Sequence, residues 1–170
     1  MSPRPHALKP IKVKVEFTGC PVEASLGALG RKWAFLVLRN IALYRANRFN
    51  AMIRATPGLT KRILSMRLRE LEAEGFIMRR ERTGRYARWA LTEKGLDVLP
   101  VLLTLVQLGS RWYPDRVFRD GTPRALTEIF ERDYVRETLS PRPPASRAPA
   151  IRKTPALFDP MPRPHALSTS

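Results

Sequence analysis

The stretch FNAMIRATPGLTKRILSMRLRELEAEG, residues 49–75, contains two helix-forming segments joined by a tight turn. Residues 50–55 predict a short helix that ends at the following Thr-Pro-Gly, because proline and glycine favour turns. Thr60 suits the N-cap of a longer helix over residues 61–74, and the next glycine suits the left-handed position after its last turn. A short helix, a glycine-containing turn and a second helix together predict a helix-turn-helix.

The segments on both sides of this motif extend the prediction to a winged fold. Residues 76–82 and 86–91 are rich in β-forming residues, and the Thr-Gly-Arg turn between them favours a hairpin that would form the wing. Helical periodicity predicts three further helices, which span residues 22–29, 32–43 and 93–112. Pro100 is expected to kink the last of them. The predicted fold class is mainly α with a small β-hairpin, a winged helix-turn-helix.

Composition indicates a polyanionic partner and argues against most enzyme classes. The 170 residues carry 31 Lys and Arg against 15 Asp and Glu, a net charge of +16, which favours nucleic acid or an anionic membrane surface. One cysteine excludes an internal disulfide framework and a multi-thiolate metal site. The two histidines, His6 and His165, lie in Pro-rich ends, far from any predicted core. We therefore expect no enzyme activity, no metal and no cofactor.

The distribution of proline and charge predicts four regions. They are a basic N-terminal arm, a folded domain, a helical extension and a Pro-rich basic disordered tail, at residues 1–19, 20–113, 114–139 and 140–170. The sequence PRPHAL occurs in both ends, at 3–8 and 162–167, either by low-complexity coincidence or as a short docking motif. The start of the chain lacks the apolar segment of a signal peptide, and no apolar run is long enough to span a membrane, so a cytoplasmic protein is expected.

The second helix of the motif has an apolar face and a face rich in hydrogen-bond donors. At 100° per residue its leucines form a narrow stripe, and the candidate DNA-reading residues lie on another side: Thr60, Lys61, Arg62, Ser65, Met66 and Arg69. Arginine and lysine can bond the guanine acceptors of the major groove, and a methionine can contact a thymine methyl. The alternative is an ordinary solvated helix face.

The predicted hairpin is strongly basic. Its candidate DNA-contacting residues are Arg82, Arg85, Tyr86 and Arg88, which suit phosphate contacts or insertion into the minor groove. The alternative is protection of edge strands by charge, which would require fewer arginines.

The helix predicted at 93–112 is apolar around most of its circumference. A domain of this size cannot surround such a helix, so the surplus face is expected to meet a partner chain, most simply in a two-fold dimer. Alternatively it packs under residues 114–139, where Leu126, Ile129 and Phe130 suggest another amphipathic helix. Both arrangements can hold together.

Three segments resemble the HxlR-type winged helix-turn-helix family of transcriptional regulators. They are CPVEASLGALGRKWAFLVLRNI (20–41), RFNAMIRATPGLTKRILSMRLRELEAEGFI (48–77) and WALTEKGLDVLPVL (89–102). The resemblance implies a homodimer on a palindromic operator, a recognition helix at 60–74 and a wing at 79–88. It also implies dimer contacts from the helices at both ends of the domain, for which the candidates are Val22, Leu26, Leu99, Leu102, Leu103 and Val106.

Some members of that family sense oxidants or electrophiles through the cysteine that opens the domain, and Cys20 holds this position. The alternative is an inert small residue at a helix start. The sequence thus predicts a homodimeric, sequence-specific DNA-binding regulator. The rival function is non-specific nucleic-acid binding or an architectural role, driven by net charge and basic tails.

Overall fold

A computed structural model describes residues 14–80 and 87–143. These residues form nine helices and one two-stranded antiparallel sheet. The helices are α1 Pro21–Leu29, α2 Ala34–Ala42, α3 Phe49–Ala55, α4 Lys61–Ala73, α5 Glu93–Leu96, α6 Leu99–Trp112, α7 Pro114–Val117, α8 Leu126–Ile129 and α9 Arg132–Leu139. The strands are β1 Ile77–Arg80 and β2 Arg88–Leu91. No helix in this part of the chain is long and apolar enough to cross a lipid bilayer.

The order of α2, α3, α4 and the hairpin confirms the predicted winged helix-turn-helix. α3 ends at a turn in which Gly58 has φ of +84°, a conformation that glycine adopts without steric cost. Gly75 ends α4 in the same left-handed region, with φ of +74°. The main core lies where α2, α4, the hairpin and the start of α6 meet, and Val37, Leu38 and Leu64 are completely buried there.

The hairpin is extended by one further pairing. In its register Ile77 lies opposite Leu91, and Arg80 lies opposite Arg88. Arg48, just before α3, forms an isolated antiparallel bridge with Arg88, and the Trp89 amide donates to the Asn47 carbonyl at 3.0 Å. The segment before α3 therefore continues the sheet beyond β2. Arg82, Arg85 and Tyr86, at the tip of the predicted wing, lie outside the described residues, as do both PRPHAL segments.

The prediction of one long kinked helix at 93–112 is wrong. Two helices occupy this range, and they are separated at Asp97 and Val98. Thr92 caps the first, because its hydroxyl accepts from the Gly95 amide at 3.1 Å. Pro100 lies in the first turn of α6, where its missing N–H breaks no helical bond, so it does not kink a helix interior.

The predicted dimer-contact residues of α6 also need correction. Leu99, Leu102 and Leu103 are buried within the chain itself, so they are not available to a partner. Val106 is half-buried against the cluster formed by Leu103, Leu126 and Val135. The exposed apolar residues of α6 form a different stripe, which recurs at intervals of three and four residues. Its members are Val101, Leu105, Leu108 and Trp112. On α1, Val22 and Leu26 are exposed.

Residues 114–139 form three short helices rather than one amphipathic helix. A loop with Gly121 at φ of +62° separates the first from the second, and extended backbone at Phe130 separates the second from the third. Ser110 of α6 holds this loop, since its hydroxyl donates to the Arg124 carbonyl at 2.5 Å and accepts from the Arg124 amide at 2.9 Å. Leu103 packs with Leu126 and other side chains of residues 114–139. This packing confirms that the segment covers part of α6.

Candidate nucleic-acid interface

The orientation of α4 follows from its cap and its leucine stripe. The Thr60 hydroxyl accepts from the Ile63 amide at 3.3 Å and so satisfies one of the free donors at the start of the helix. Leu64, Leu68 and Leu71 recur at intervals of three and four residues and are all buried. This stripe fixes one side of α4 on the core and leaves the opposite side at the surface.

The outward face of α4 is cationic. Lys61, Arg62, Met66 and Arg69 are exposed, and Ser65 is half-buried. Lys61, Arg62 and Arg69 form no ion pair within residues 14–80 and 87–143. The predicted exposed face is thus confirmed as a surface, and base contacts from it remain a prediction.

Arg67 and Glu70 belong to α4 but not to this surface. The Arg67 guanidinium is largely buried and pairs with the Glu70 carboxylate, which Arg31 also approaches at 3.5 Å. This pair neutralises the side of α4 that faces the domain. The outward side of α4 therefore carries most of the positive charge of the helix, with Glu72 beside Ser65 and Arg69.

A buried polar network, which the sequence did not indicate, positions the turn before α4. Asn40 of α2 is fully buried, and its amide donates to the Thr56 hydroxyl at 2.8 Å and to the Met52 carbonyl at 3.5 Å. Arg39 donates to the Asn40 side-chain oxygen at 2.9 Å and to the Ala55 carbonyl at 3.2 Å. These bonds tie the end of α3 to α2 and so restrain the turn that sets the angle between α3 and α4.

The described part of the wing contributes three more arginines. Arg79 and Arg80 of β1 and Arg88 of β2 are exposed. The Arg79 guanidinium lies over the ring of the buried Trp89, 5.6 Å from the ring centroid. Arg88 is the one predicted wing residue that the structure describes, and its exposure permits a phosphate contact.

Sequence reasoning missed two cations that lie next to the wing. Arg48 precedes α3 and pairs with Arg88 in the sheet, and Arg54 is exposed on α3. Together with Asn50 they line an open cleft between α3 and β2. No local motif marks them, because only the pairing of distant segments brings them to the hairpin.

Cys20 is a free, exposed thiol at the N-cap of α1, and its side chain makes no capping hydrogen bond. The structure therefore provides access to the thiol, and its sensor role remains a prediction.

Comparisons with known proteins agree with this geometry. The family described as HxlR-like helix-turn-helix matches residues 28–117. The chain is 36% identical over 104 residues to YdeP of Bacillus subtilis, an uncharacterized HTH-type transcriptional regulator, with 60% of this chain and 80% of YdeP covered. An uncharacterized HTH-type transcriptional regulator of Methanothermobacter thermautotrophicus is 36% identical over 95 residues, with 55% of this chain and 72% of the relative covered.

Among solved structures, PA1607, a proposed transcription factor, has a TM-score of 0.52 at 31% identity. The match covers 56% of this chain and 67% of PA1607. The family match itself extends over more than half of the 170 residues and includes α2, the helix-turn-helix, the wing and α6. The chain therefore belongs to the HxlR-like helix-turn-helix family of DNA-binding transcriptional regulators.

Proposed function

We propose that the protein binds a palindromic operator as a homodimer and reads its sequence with α4. The observation that carries this proposal is the outward face of α4, whose exposed cations form no ion pair with any residue that the structure describes and stand opposite a buried leucine stripe. A helix of this kind fits the major groove of B-DNA, and its arginines can form paired hydrogen bonds to guanine. The wing arginines and Arg48 supply positions for phosphate contacts beside it.

The homodimer is supported by apolar surface that residues 14–80 and 87–143 leave uncovered. Val101, Leu105 and Leu108 of α6 are exposed by 45%, 44% and 51%, and Val22 of α1 is exposed by 64%. A contiguous apolar stripe on a soluble domain typically marks an interface. A two-fold pairing through these helices would relate two copies of α4 by the same symmetry as the two half-sites of a palindrome.

The test is selection of bound sequences from a randomised DNA library by the full chain, followed by footprinting. The proposal expects one motif with two inverted half-sites, about 10 base pairs apart from centre to centre. Non-specific binding is the second candidate, favoured by the net charge of +16. A library that stays random after repeated selection, together with a footprint that covers all positions equally, would establish that function and overturn ours.

A further inference from the structure

The open cleft between α3 and β2 has the composition of a small-ligand site. Its volume is about 400 Å³, within the range of ligand pockets. The lining includes apolar and aromatic surface from Phe49, Ala51, Ala87 and Trp89. Trp89 belongs to the main core and Phe49 and Ala87 pack against it, and the surface they leave in the cleft would suit a ligand with an apolar body.

Charged and polar groups stand around this apolar surface. Asn50 and Arg54 lie four residues apart and share one side of α3, and Arg48 occupies the N-cap position directly before the helix. Both arginines and Asn50 are exposed and line the cleft. Neither arginine forms an ion pair with another residue of the described segments. Two guanidinium groups and an amide form a donor set suited to a carboxylate.

One residue of the cleft lining carries a buried donor that has no partner among the described residues. Trp89 is only 6% exposed, and its indole Nε1 has no hydrogen-bond acceptor among the described residues. A buried donor of this kind costs free energy unless something accepts from it. The Trp89 side chain lines the cleft while its Nε1 is buried, so the indole N–H serves as a reporter of occupancy next to the proposed site.

We propose that this cleft binds a small aromatic carboxylate and that its occupancy lowers operator affinity. The ring would pack on Phe49 and Trp89, and the carboxylate would accept from Arg48 and Arg54. This regulatory part rests on the proposed operator binding. The cleft adjoins the DNA-reading helix, because Phe49 and Trp89 also line a smaller cleft with Ser65 and Arg69 of α4. A bound anion cancels positive charge beside that helix and so weakens its attraction for phosphates.

The first experiment measures binding without DNA. The full chain, labelled with 15N, is titrated with benzoate, with 1-naphthoate and with neutral benzamide, and the indole N–H resonance of Trp89 is followed. Its assignment comes from Trp89→Phe. We expect a saturable shift with the two carboxylates and at least about tenfold weaker binding of benzamide, as the loss of a charge-assisted bond implies.

The variants separate this site from general attraction of anions. Arg54→Gln and Arg48→Gln should each weaken benzoate binding about tenfold, and Arg132→Gln, an equal charge change on the exposed side of α9, should leave it unchanged. The proposal is overturned by the absence of a saturable Trp89 shift up to about 10 mM benzoate, or by an equal effect of all three variants.

The second experiment measures operator affinity with and without saturating benzoate. We expect weaker binding and a dependence of log K on log[salt] that is shallower by about one to two units, since a dimer would bind two carboxylates and each neutralises one positive charge. Unchanged operator affinity with benzoate bound overturns the regulatory part. If Arg48→Gln and Arg54→Gln impair operator binding while benzoate does not bind, the cleft is a phosphate-contact surface and the ligand site is wrong. If no operator is found, the titration without DNA still decides whether the cleft binds carboxylates.

Discussion

The side-chain amide of Asn40 in α2 lies 2.8 Å from the hydroxyl of Thr56, the residue that ends α3. Asn40 is fully buried, and Thr56 is 3% exposed. This contact joins the helix that forms the centre of the core to the turn that orients α4. The direction of α4, the helix proposed to read DNA, therefore depends on a polar pair buried inside the domain.

Asn40→Ala should lower the free energy of unfolding by about 2 kcal/mol. The change removes the buried donor to the Thr56 hydroxyl and the Met52 carbonyl, while Arg39 keeps its bonds to Ala55 and Thr56, and a buried group left unsatisfied costs about 1–3 kcal/mol. Urea unfolding followed by circular dichroism measures the loss. Asn50→Ala, on the exposed side of α3, is the control and should change stability by less than about 0.5 kcal/mol. Equal effects of both variants would show that the network does not support the turn.

Arg62→Ala or Arg69→Ala should cost about 1–3 kcal/mol of operator binding and relax preference at one base position. This result follows if the guanidinium bonds a guanine in the major groove. Selection on randomised half-sites with each variant is the measurement. Unchanged base preference in both variants would contradict a reading role for α4.

Arg88→Ala should weaken binding to all DNA sequences alike. An arginine that contacts phosphate carries no base information, and its loss should make the dependence of log K on log[salt] shallower by about one unit. For a dimer that neutralises about eight phosphates, the wild-type slope is expected near −7. The same change at Arg85, at the predicted wing tip, should act in the same way. A shift of the preferred sequence in either variant would mean that the wing reads bases.

Leu105→Glu should convert the dimer to a monomer and abolish tight operator binding. Leu105 lies in the exposed stripe of α6, between Val101 and Leu108, where a carboxylate would be desolvated against the partner helix. Gln107→Glu introduces the same charge at an exposed polar position of α6 and should remain dimeric. Sedimentation velocity of both variants measures whether each is a monomer or a dimer. A dimeric Leu105→Glu protein would place the interface elsewhere.

Oxidant or quinone treatment should change operator affinity through Cys20. The thiol is exposed, and it is the only cysteine of the chain, so it would act alone or through a bridge between two subunits. Binding is compared before and after treatment, and Cys20→Ser should remove the change. An identical response of wild type and Cys20→Ser would end the sensor hypothesis.

The features that the sequence predicted correctly depend on neighbours along the chain. The cap at Thr60, the left-handed glycine at position 75 and the leucine spacing of α4 involve residues within one or two helical turns. Backbone hydrogen bonds and the 3.6-residue period determine such features locally. The exposed cationic face of α4 followed from the same period, which is why Lys61 and Arg69 could be placed on the surface in advance.

The features that required the tertiary structure depend on residues distant in the chain. The hydrophobic pattern identified α6 as apolar on most sides, but only its packing against the core and the extension buried Leu103 and left Leu105 exposed. The bridge between Arg48 and Arg88 likewise joins segments 40 positions apart and creates the cleft beside Trp89. The sequence alone determined which segments are helical and which side of α4 carries charge. Only the three-dimensional packing decided which apolar and basic side chains remain at the surface, because burial depends on what each face meets and not on the period of the helix.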